Sequence, residues 1–275
     1  MEKIEVISYH LGGNSFPIVI QQGKRKFLVK LRAGLSGEYS LLCEWFGNRI
    51  GSLIGLNTRQ PYWITLTDSL EFNDIYIEVR DLIVKSLGVN IGFDYFESAT
   101  AFDVNKTLPI AKEQQVQIFL LDLLMLNIDR TNQNQNLLLH NDHVFVTDFD
   151  SSMIFNNLIN NKDFSENEQI LRCFKSNPFY QKVDDIQLQT FINKIKHIDY
   201  EKIIFEIPNE LISAEYKELI CKRIDDKITT DWNLRKLLDN LENIDLETEL
   251  EKNIRINKNR EKLEKLVSST HNRKI

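Results

Sequence analysis

The sequence predicts an α+β protein of two lobes, a β-rich N-terminal lobe and a mainly helical C-terminal lobe. Short segments rich in β-branched residues fill residues 1–100, and a nearly all-apolar helical segment at 116–126 marks a change of character. At 275 residues the chain is long enough to bury a sizeable core within one two-lobed domain. We expect a C-terminal lobe at 101–240 and a basic helical tail at 241–275.

The N-terminal lobe is predicted as strands separated by turns that contain glycine. The predicted strands are 4–9, 16–20, 26–31, 61–66 and 92–96. Apolar residues at helical spacing predict two helices between them, at 37–56 and 75–87.

The C-terminal lobe is predicted to begin with a buried helix. Because the segment 116–126 is apolar on nearly every side, we expect it to lie inside the core. The segments 136–139 and 144–147 predict a hairpin, and residues 166–275 have a helical pattern interrupted at Pro208.

Composition and charge exclude several classes of protein. The net charge of −6 argues against general binding to nucleic acid, which we expect only through a partner protein or the basic tail. Three widely spaced cysteines indicate reduced thiols rather than a disulfide framework or a zinc site. The chain shows neither a signal-peptide pattern nor an apolar run long enough to span a bilayer, so we expect a cytoplasmic protein.

The most informative motif combines Asp129, Asn134 five residues later, and Asp148 at the end of an apolar strand. Phosphoryl transfer needs these groups: one carboxylate accepts the proton of an attacking hydroxyl, and an amide oxygen and a second carboxylate hold Mg²⁺ against nucleotide phosphates. We expect Arg130 to face a neighbouring carbonyl or carboxylate. The alternatives are a helix cap at Asp129 and Asn134 and a strand-end turn at Asp148. Asp150 is either a second metal ligand or a loop cap.

Two residues of the N-terminal lobe suit the same chemistry. Lys30 shares one face of an apolar strand with Leu28, as expected of a lysine that contacts the α- and β-phosphates, although an edge-strand lysine is the alternative. Glu44 on the following helix is the candidate that fixes this lysine through an ion pair. Glu38 competes with it, and either carboxylate could instead lie on a solvated helix face.

A double-glycine turn is the candidate phosphate loop. Gly12, Gly13, Asn14 and Ser15 lie between two predicted strands, where backbone N–H groups could bind phosphate oxygens. An ordinary hairpin is the alternative. We expect the histidines beside the later hairpin turn, at positions 140 and 143, to face solvent.

Together these residues resemble the HipA-like kinases, an atypical serine/threonine kinase group that includes bacterial persistence toxins. The segment 127–134 matches the catalytic loop of that family, and Lys30, Glu44 and the segment 88–92 are similar to its other motifs, over about residues 5–240. The chain departs from many relatives at Thr131, where histidine is common, and at position 91, where an aromatic residue is common. Relatives can also phosphorylate a serine in the phosphate loop, which makes Ser15 a candidate self-modification site.

The resemblance implies a kinase-like fold that binds ATP and Mg²⁺ between its lobes and acts on a serine or threonine of a protein. Lys30 and Glu44 are expected to orient the phosphates, Asn134 and Asp148 to hold Mg²⁺, and Asp129 to accept the proton. A regulatory partner protein, as in toxin–antitoxin systems, is a further expectation. The rival interpretations are transfer of AMP, a lipid or small-molecule acceptor, a nucleotide-binding pseudokinase that serves as an interaction module, and a nucleic-acid-binding partner in a toxin system.

Overall fold

A six-stranded sheet forms the N-terminal lobe in the computed structural model of the protein. The structure describes residues 4–10, 16–34, 37–72, 75–104, 110–228 and 231–244. The strands of this sheet are β1 (Ile4–Tyr9), β2 (Ile18–Gln22), β3 (Arg25–Lys30), β4 (Pro61–Leu66), β5 (Glu71–Phe72) and β6 (Gly88–Asp94). Their order across the sheet is β4-β6-β3-β2-β1-β5, and only the pair β1–β5 is parallel. Strand β3 is therefore an interior strand, with β2 on one side and β6 on the other.

Two helices accompany this sheet, and the first of them also packs against the rest of the chain. They are α1 (Gly37–Leu53) and α2 (Ile77–Lys85), which confirms both predicted helices with shorter ends. The apolar side chains of α1 belong to the same buried cluster as those of the C-terminal helices. The indole Nε1 of Trp45 donates a hydrogen bond to the carbonyl of Ile203, 3.0 Å away, and Arg49 pairs with Glu206 at 2.6 Å. Contacts of this kind hold α1 in a fixed position against the C-terminal helices.

The predicted strand at 92–96 was wrong in its limits, because β6 begins four residues earlier, at Gly88. Gly88 has a φ of 101°, a value that glycine adopts without the strain of a side chain, so the chain can turn directly from α2 into the strand. The short strand β5 was not predicted, since two residues leave no alternating pattern to detect.

The C-terminal lobe contains a small three-stranded sheet and a set of helices. The strands are β7 (Thr100–Ala101), β8 (Leu137–His140) and β9 (His143–Val146), in the order β7-β8-β9. The helices are α3 (Lys112–Met125), α4 (Ile154–Asn160), α5 (Glu168–Lys175), α6 (Asp185–Lys196), α7 (Tyr200–Phe205), α8 (Ala214–Lys227) and α9 (Asp231–Glu242). The hairpin of β8 and β9 and the burial of α3 confirm the prediction, whereas α4 and β7 were not predicted.

Two apolar clusters form the core. The smaller one fills the N-terminal sheet, and the larger one joins α1 to the C-terminal helices. The predicted α+β class is confirmed, while the division at residues 100 and 240 stays a prediction. Residues 245–275, most of the predicted basic tail, lie outside the described residues. Among the helices that the structure describes, none combines the length and the apolar character needed to cross a membrane.

Candidate active site

A cavity of about 390 Å³ brings together five residues that the sequence singled out, Lys30, Glu44, Asp129, Asn134 and Asp148. Three separate parts of the chain supply them: the end of β3 with the following helix α1, the loop after α3, and the segment after β9. The cavity wall also includes Pro17, Leu28, Asn48, Arg59, Phe93, Leu138, Thr147, Asp150 and Ser151. The structure therefore brings these five residues together in the wall of one cavity.

The side chain of Lys30 lies at the centre of this site. Its Nζ binds Glu44, and it also donates to Asp148 at 2.5 Å and to Asp150 at 3.1 Å. Burial alone would lower the pKa of Lys30, but the three carboxylates outweigh that effect and raise the pKa above its ordinary value. Lys30 thus stays protonated. Because β3 is an interior strand, the alternative of an edge-strand lysine is wrong.

Glu44, and not Glu38, is the partner of Lys30. The carboxylate of Glu44 is buried on α1, where it also accepts from the backbone N–H of Phe149 at 3.2 Å and from Asn48 Nδ2 at 2.9 Å. Glu38 instead binds Arg32, with the Nε–Oε1 distance at 3.1 Å. Burial raises the pKa of Glu44 to about 7, since the Lys30 charge opposes the desolvation only in part.

The loop after α3 folds back on itself and places Asn134 against Asp129. Asn134 Nδ2 donates to Asp129 Oδ2 at 2.8 Å, and its backbone N–H donates to Thr131 Oγ1 at 3.1 Å. Asn136 donates to the same carboxylate oxygen of Asp129 at 3.3 Å. Desolvation raises the pKa of Asp129 despite these hydrogen bonds. Thr131, which departs from the family pattern, takes part in closing this loop.

Asp148 lies two residues after the end of β9 and lines the cavity. Its φ of 65° is a left-handed conformation, which Asp tolerates better than most residues. The pKa of Asp148 is lowered, because the Lys30 charge outweighs the desolvation that alone would raise it. Carboxylate oxygens of Glu44, Asp148 and Asp150 lie within 4.8 Å of one another. Asp150 therefore faces the cleft as well, with a side chain that is 9% exposed.

The donor set on this side of the cleft fits a hard divalent cation. Asp148 and Asp150 offer carboxylate oxygens, and Asn134 offers its amide oxygen because its amide nitrogen is bonded to Asp129. Oxygen ligands of this kind are the ones that Mg²⁺ takes in nucleotide sites. The sequence left open whether Asp150 is a second metal ligand or a loop cap, and the structure places its carboxylate within 4.8 Å of that of Asp148.

A buried ion pair between Arg130 and Asp122 lies beside the loop after α3, and the sequence predicted only the role of Arg130. Arg130 Nε binds Asp122 Oδ2 at 2.8 Å, and both side chains are fully buried. Asp122 also accepts from Asn177 at 2.8 Å, and Arg130 donates to backbone carbonyls that include that of Thr147 at 3.3 Å. This confirms the expected partner type for Arg130. Asp122 was missed as a partner, although a lone carboxylate in an apolar helix is itself a signal that one is needed.

Two further predictions concern the phosphate loop and the histidines beside the hairpin turn. Gly12, Gly13, Asn14 and Ser15 lie outside the described residues, so the phosphate loop and the self-modification site stay predictions. His143 is exposed as expected, but His140 is only partly exposed and stacks on Phe96, with ring centroids 4.2 Å apart.

Comparisons with known proteins show which family and which folds this chain is similar to. A family model described as HipA-like kinase matches residues 5–241. The chain is similar to the crystal structure of the Helicobacter pylori proinflammatory kinase CtkA, with a TM-score of 0.53 and 13% identity over 86% of this chain and 94% of that one. The similarity to CtkA shows a kinase-like fold, as predicted.

Two further solved structures match less well. One is the MAP kinase LmaMPK10 from Leishmania major, with a TM-score of 0.26 and 10% identity over 83% of this chain and 63% of that one. The other is the choline kinase LicA from Streptococcus pneumoniae, with a TM-score of 0.28 and 11% identity over 87% of this chain and 94% of that one. A search of curated protein sequences found no significant match.

Proposed function

Because the chain belongs to the HipA-like kinase family, we propose that it transfers the γ-phosphate of Mg·ATP to a serine or threonine hydroxyl of a protein. One observation carries this proposal: Lys30, paired with Glu44, shares a cavity with the oxygen donors Asn134 and Asp148 and with the carboxylate of Asp129. The family resemblance supports a protein as the acceptor.

The N-terminal half of the site would bind and orient the nucleotide. Lys30 is held by Glu44 at the end of an interior strand, so its ammonium group has a fixed position. When Mg·ATP binds, phosphate oxygens would replace Asp148 and Asp150 as acceptors of its other two N–H groups. Three carboxylates around one ammonium leave this set with a net negative charge, which favours the entry of a divalent cation together with ATP.

The donors Asn134 and Asp148 would hold Mg²⁺, and Asp150 is an additional ligand in this proposal. When bound, Mg²⁺ neutralises phosphate charge and keeps the γ-phosphate in line for attack. The buried pair of Asp122 and Arg130 keeps the loop that carries Asn134 beside the strand end that carries Asp148. The protein thereby fixes the distance between its two ligand-bearing segments before the nucleotide arrives.

Asp129 would accept the proton of the attacking hydroxyl. The hydroxyl oxygen forms a bond to the γ-phosphorus, the bond from that phosphorus to the bridging oxygen breaks, and ADP leaves. The raised pKa of Asp129 makes its carboxylate a better proton acceptor than an ordinary aspartate. Its hydrogen bonds from Asn134 and Asn136 hold it in a single orientation.

The proposal is tested by following two labels of ATP into the proteins of a cell lysate. With Mg²⁺ present, a label on the γ-phosphate is expected to enter protein as phosphoserine or phosphothreonine, and a label on the α-phosphate is expected to stay in solution. Incorporation of the α-label would mean AMP transfer, and labelling of small molecules alone would mean another acceptor. Binding of ATP with no transfer of either label would contradict a kinase.

A further inference from the structure

An ion pair outside the cavity joins the two lobes. Glu210 belongs to the segment between α7 and α8, and its Oε1 accepts a hydrogen bond from Nη1 of Arg32, just after β3. The same oxygen also accepts from the backbone N–H of Val89 in β6, at 3.3 Å. One carboxylate of the C-terminal lobe therefore binds the adjacent ends of two neighbouring strands of the N-terminal sheet.

The carboxylate of Glu210 is held in place from both sides. Within the C-terminal lobe, the buried Lys217 of α8 donates to the carbonyl of Ile207 and, at 2.7 Å, to the side-chain oxygen of Asn209. These bonds fix the turn that carries Glu210. In the N-terminal lobe, a side chain at Gly88 would overlap the carboxylate of Glu210, so glycine leaves the space that this carboxylate occupies.

Arg32 links the two elements that carry Lys30 and Glu44. Its backbone N–H donates at 2.8 Å to Asn90, a fully buried side chain of β6. Its Nε donates at 3.1 Å to Glu38 in the first turn of α1. Lys30 lies two residues before Arg32, and Glu44 lies further along the same helix α1. A shift of Arg32 would therefore reach both members of that ion pair.

The contact with Glu210 lies at the opposite end of β6 from the place where the chain leaves the N-terminal sheet. Strand β6 runs from Gly88 to Asp94, and the chain then continues through residues 95–99 to β7. At about 3.3 Å per residue, the seven residues of β6 put about 20 Å between these two points. Rotation of one lobe about the connection at 95–99 would separate Glu210 from the sheet, so the ion pair opposes that rotation.

We infer that Glu210 is a positioning residue of the proposed reaction and that it acts through Arg32. It lies outside the cavity wall. Lys30 comes from the N-terminal lobe, whereas the metal ligands and the base come from the C-terminal lobe, so phosphate transfer needs a fixed distance between the two lobes. The ion pair would set that distance on the side away from residues 95–99. The inference rests on the proposed function, because it concerns the geometry of that site.

The test measures kcat/KM for Mg·ATP in Glu210→Gln. Glutamine keeps the shape and an oxygen for the N–H of Val89 but removes the charge that binds Arg32. Because a misplacement of about 1 Å can cost about 100-fold in rate, kcat/KM is expected to fall by about 10-fold to 100-fold. The free energy of unfolding in urea should change little, since the side chains of Arg32 and Glu210 are 19% and 45% exposed. A merely structural role would not give this split.

Two further variants sharpen the test. Glu97→Gln is the matched control, because Glu97 forms an exposed ion pair with Lys26, at the other end of β3. This control should leave kcat/KM unchanged. Arg32→Met tests whether the effect passes through Arg32: once Arg32 is replaced, Glu210→Gln should lower kcat/KM no further, because the two substitutions remove the same contact. If Arg32→Met does not fold by circular dichroism, Arg32→Gln takes its place.

Two results would overturn the inference: a Glu210→Gln variant with the kcat/KM of the wild type, and an equal loss from Glu210→Gln with arginine or methionine at position 32. Equilibrium binding separates the inference from the proposed function. A wild type that binds Mg·ATP but transfers no phosphate refutes the proposed function alone. In that case the Kd for Mg·ATP should still rise in Glu210→Gln and not in Glu97→Gln, and an unchanged Kd would refute the inference as well.

Discussion

Gly47 of helix α1 lies directly against the ring of Phe149, at a distance that leaves no room for a side chain. This close approach brings α1 to the segment after β9, and one turn earlier in the same helix Glu44 accepts a hydrogen bond from the backbone N–H of Phe149. The missing side chain at Gly47 thus sets how near Glu44 comes to Lys30.

Gly47→Ala is therefore expected to weaken the site although alanine favours helix formation. The added methyl overlaps the Phe149 ring, and overpacking of this kind costs about 1–3 kcal/mol. We expect a lower free energy of unfolding in urea and slower phosphate transfer. Ser52→Ala, on an exposed position of the same helix, is the control and should change neither. An alanine variant as stable and active as the wild type would show that α1 does not depend on this contact.

The buried pair of Asp122 and Arg130 is expected to stabilise the C-terminal lobe. Asp122→Ala leaves the Arg130 charge buried without its partner, which costs about 3–5 kcal/mol of the free energy of unfolding. The matched control is Glu168→Gln, which removes a half of the exposed pair with Arg172 and should cost about 1 kcal/mol at most. Equal losses in both variants, measured by urea unfolding, would contradict the structural role of the buried pair.

The raised pKa of Glu44 predicts a dependence of stability on pH. The folded state binds this proton more tightly than the unfolded state, so the contribution of Glu44 is fully present below its ordinary pKa and is lost as the pH rises through about 7. Between those values the free energy of unfolding of the wild type should fall relative to that of Glu44→Gln, which carries no charge. Urea unfolding of both proteins over this pH range measures the difference, and a constant difference would mean that Glu44 titrates like an exposed carboxylate.

Much of the site was predictable because its residue types carry local patterns. Lys30 interrupts the apolar face of a strand, and Asp129 and Asn134 follow a buried helix at a spacing that a short loop can close. The choice between Glu38 and Glu44 needed the structure, since both lie on the same helix and only its packing decides which one faces Lys30.

Contacts between distant segments were not predictable from one sequence. Asn177 reaches Asp122 from 55 positions further along the chain, and no local pattern indicates that pair. Arg59 enters the cavity from the connection before β4, a stretch without a regular pattern. The limits of β6 were also missed, because apolar runs beside glycine leave the first paired residue undetermined.

Asp148 is expected to couple ATP binding to Mg²⁺. Asp148→Asn removes the charge that offsets the cation but keeps the shape of the side chain, so ATP affinity should lose most of its dependence on Mg²⁺. Asp142→Asn, at the exposed turn between β8 and β9, is the control. Titration of ATP with and without EDTA measures the effect. An Asp148→Asn variant that keeps the full Mg²⁺ dependence would place the metal ligand elsewhere.

The most direct measurement of the proposed function compares ATP binding and phosphate transfer in Asp129→Ala. If Asp129 accepts the proton of the acceptor hydroxyl, transfer should fall at least about 100-fold while the Kd for Mg·ATP changes little, because the base acts in the chemical step. Transfer close to the wild-type rate, with binding intact, would contradict the central claim and leave Asp129 as a structural residue of its loop.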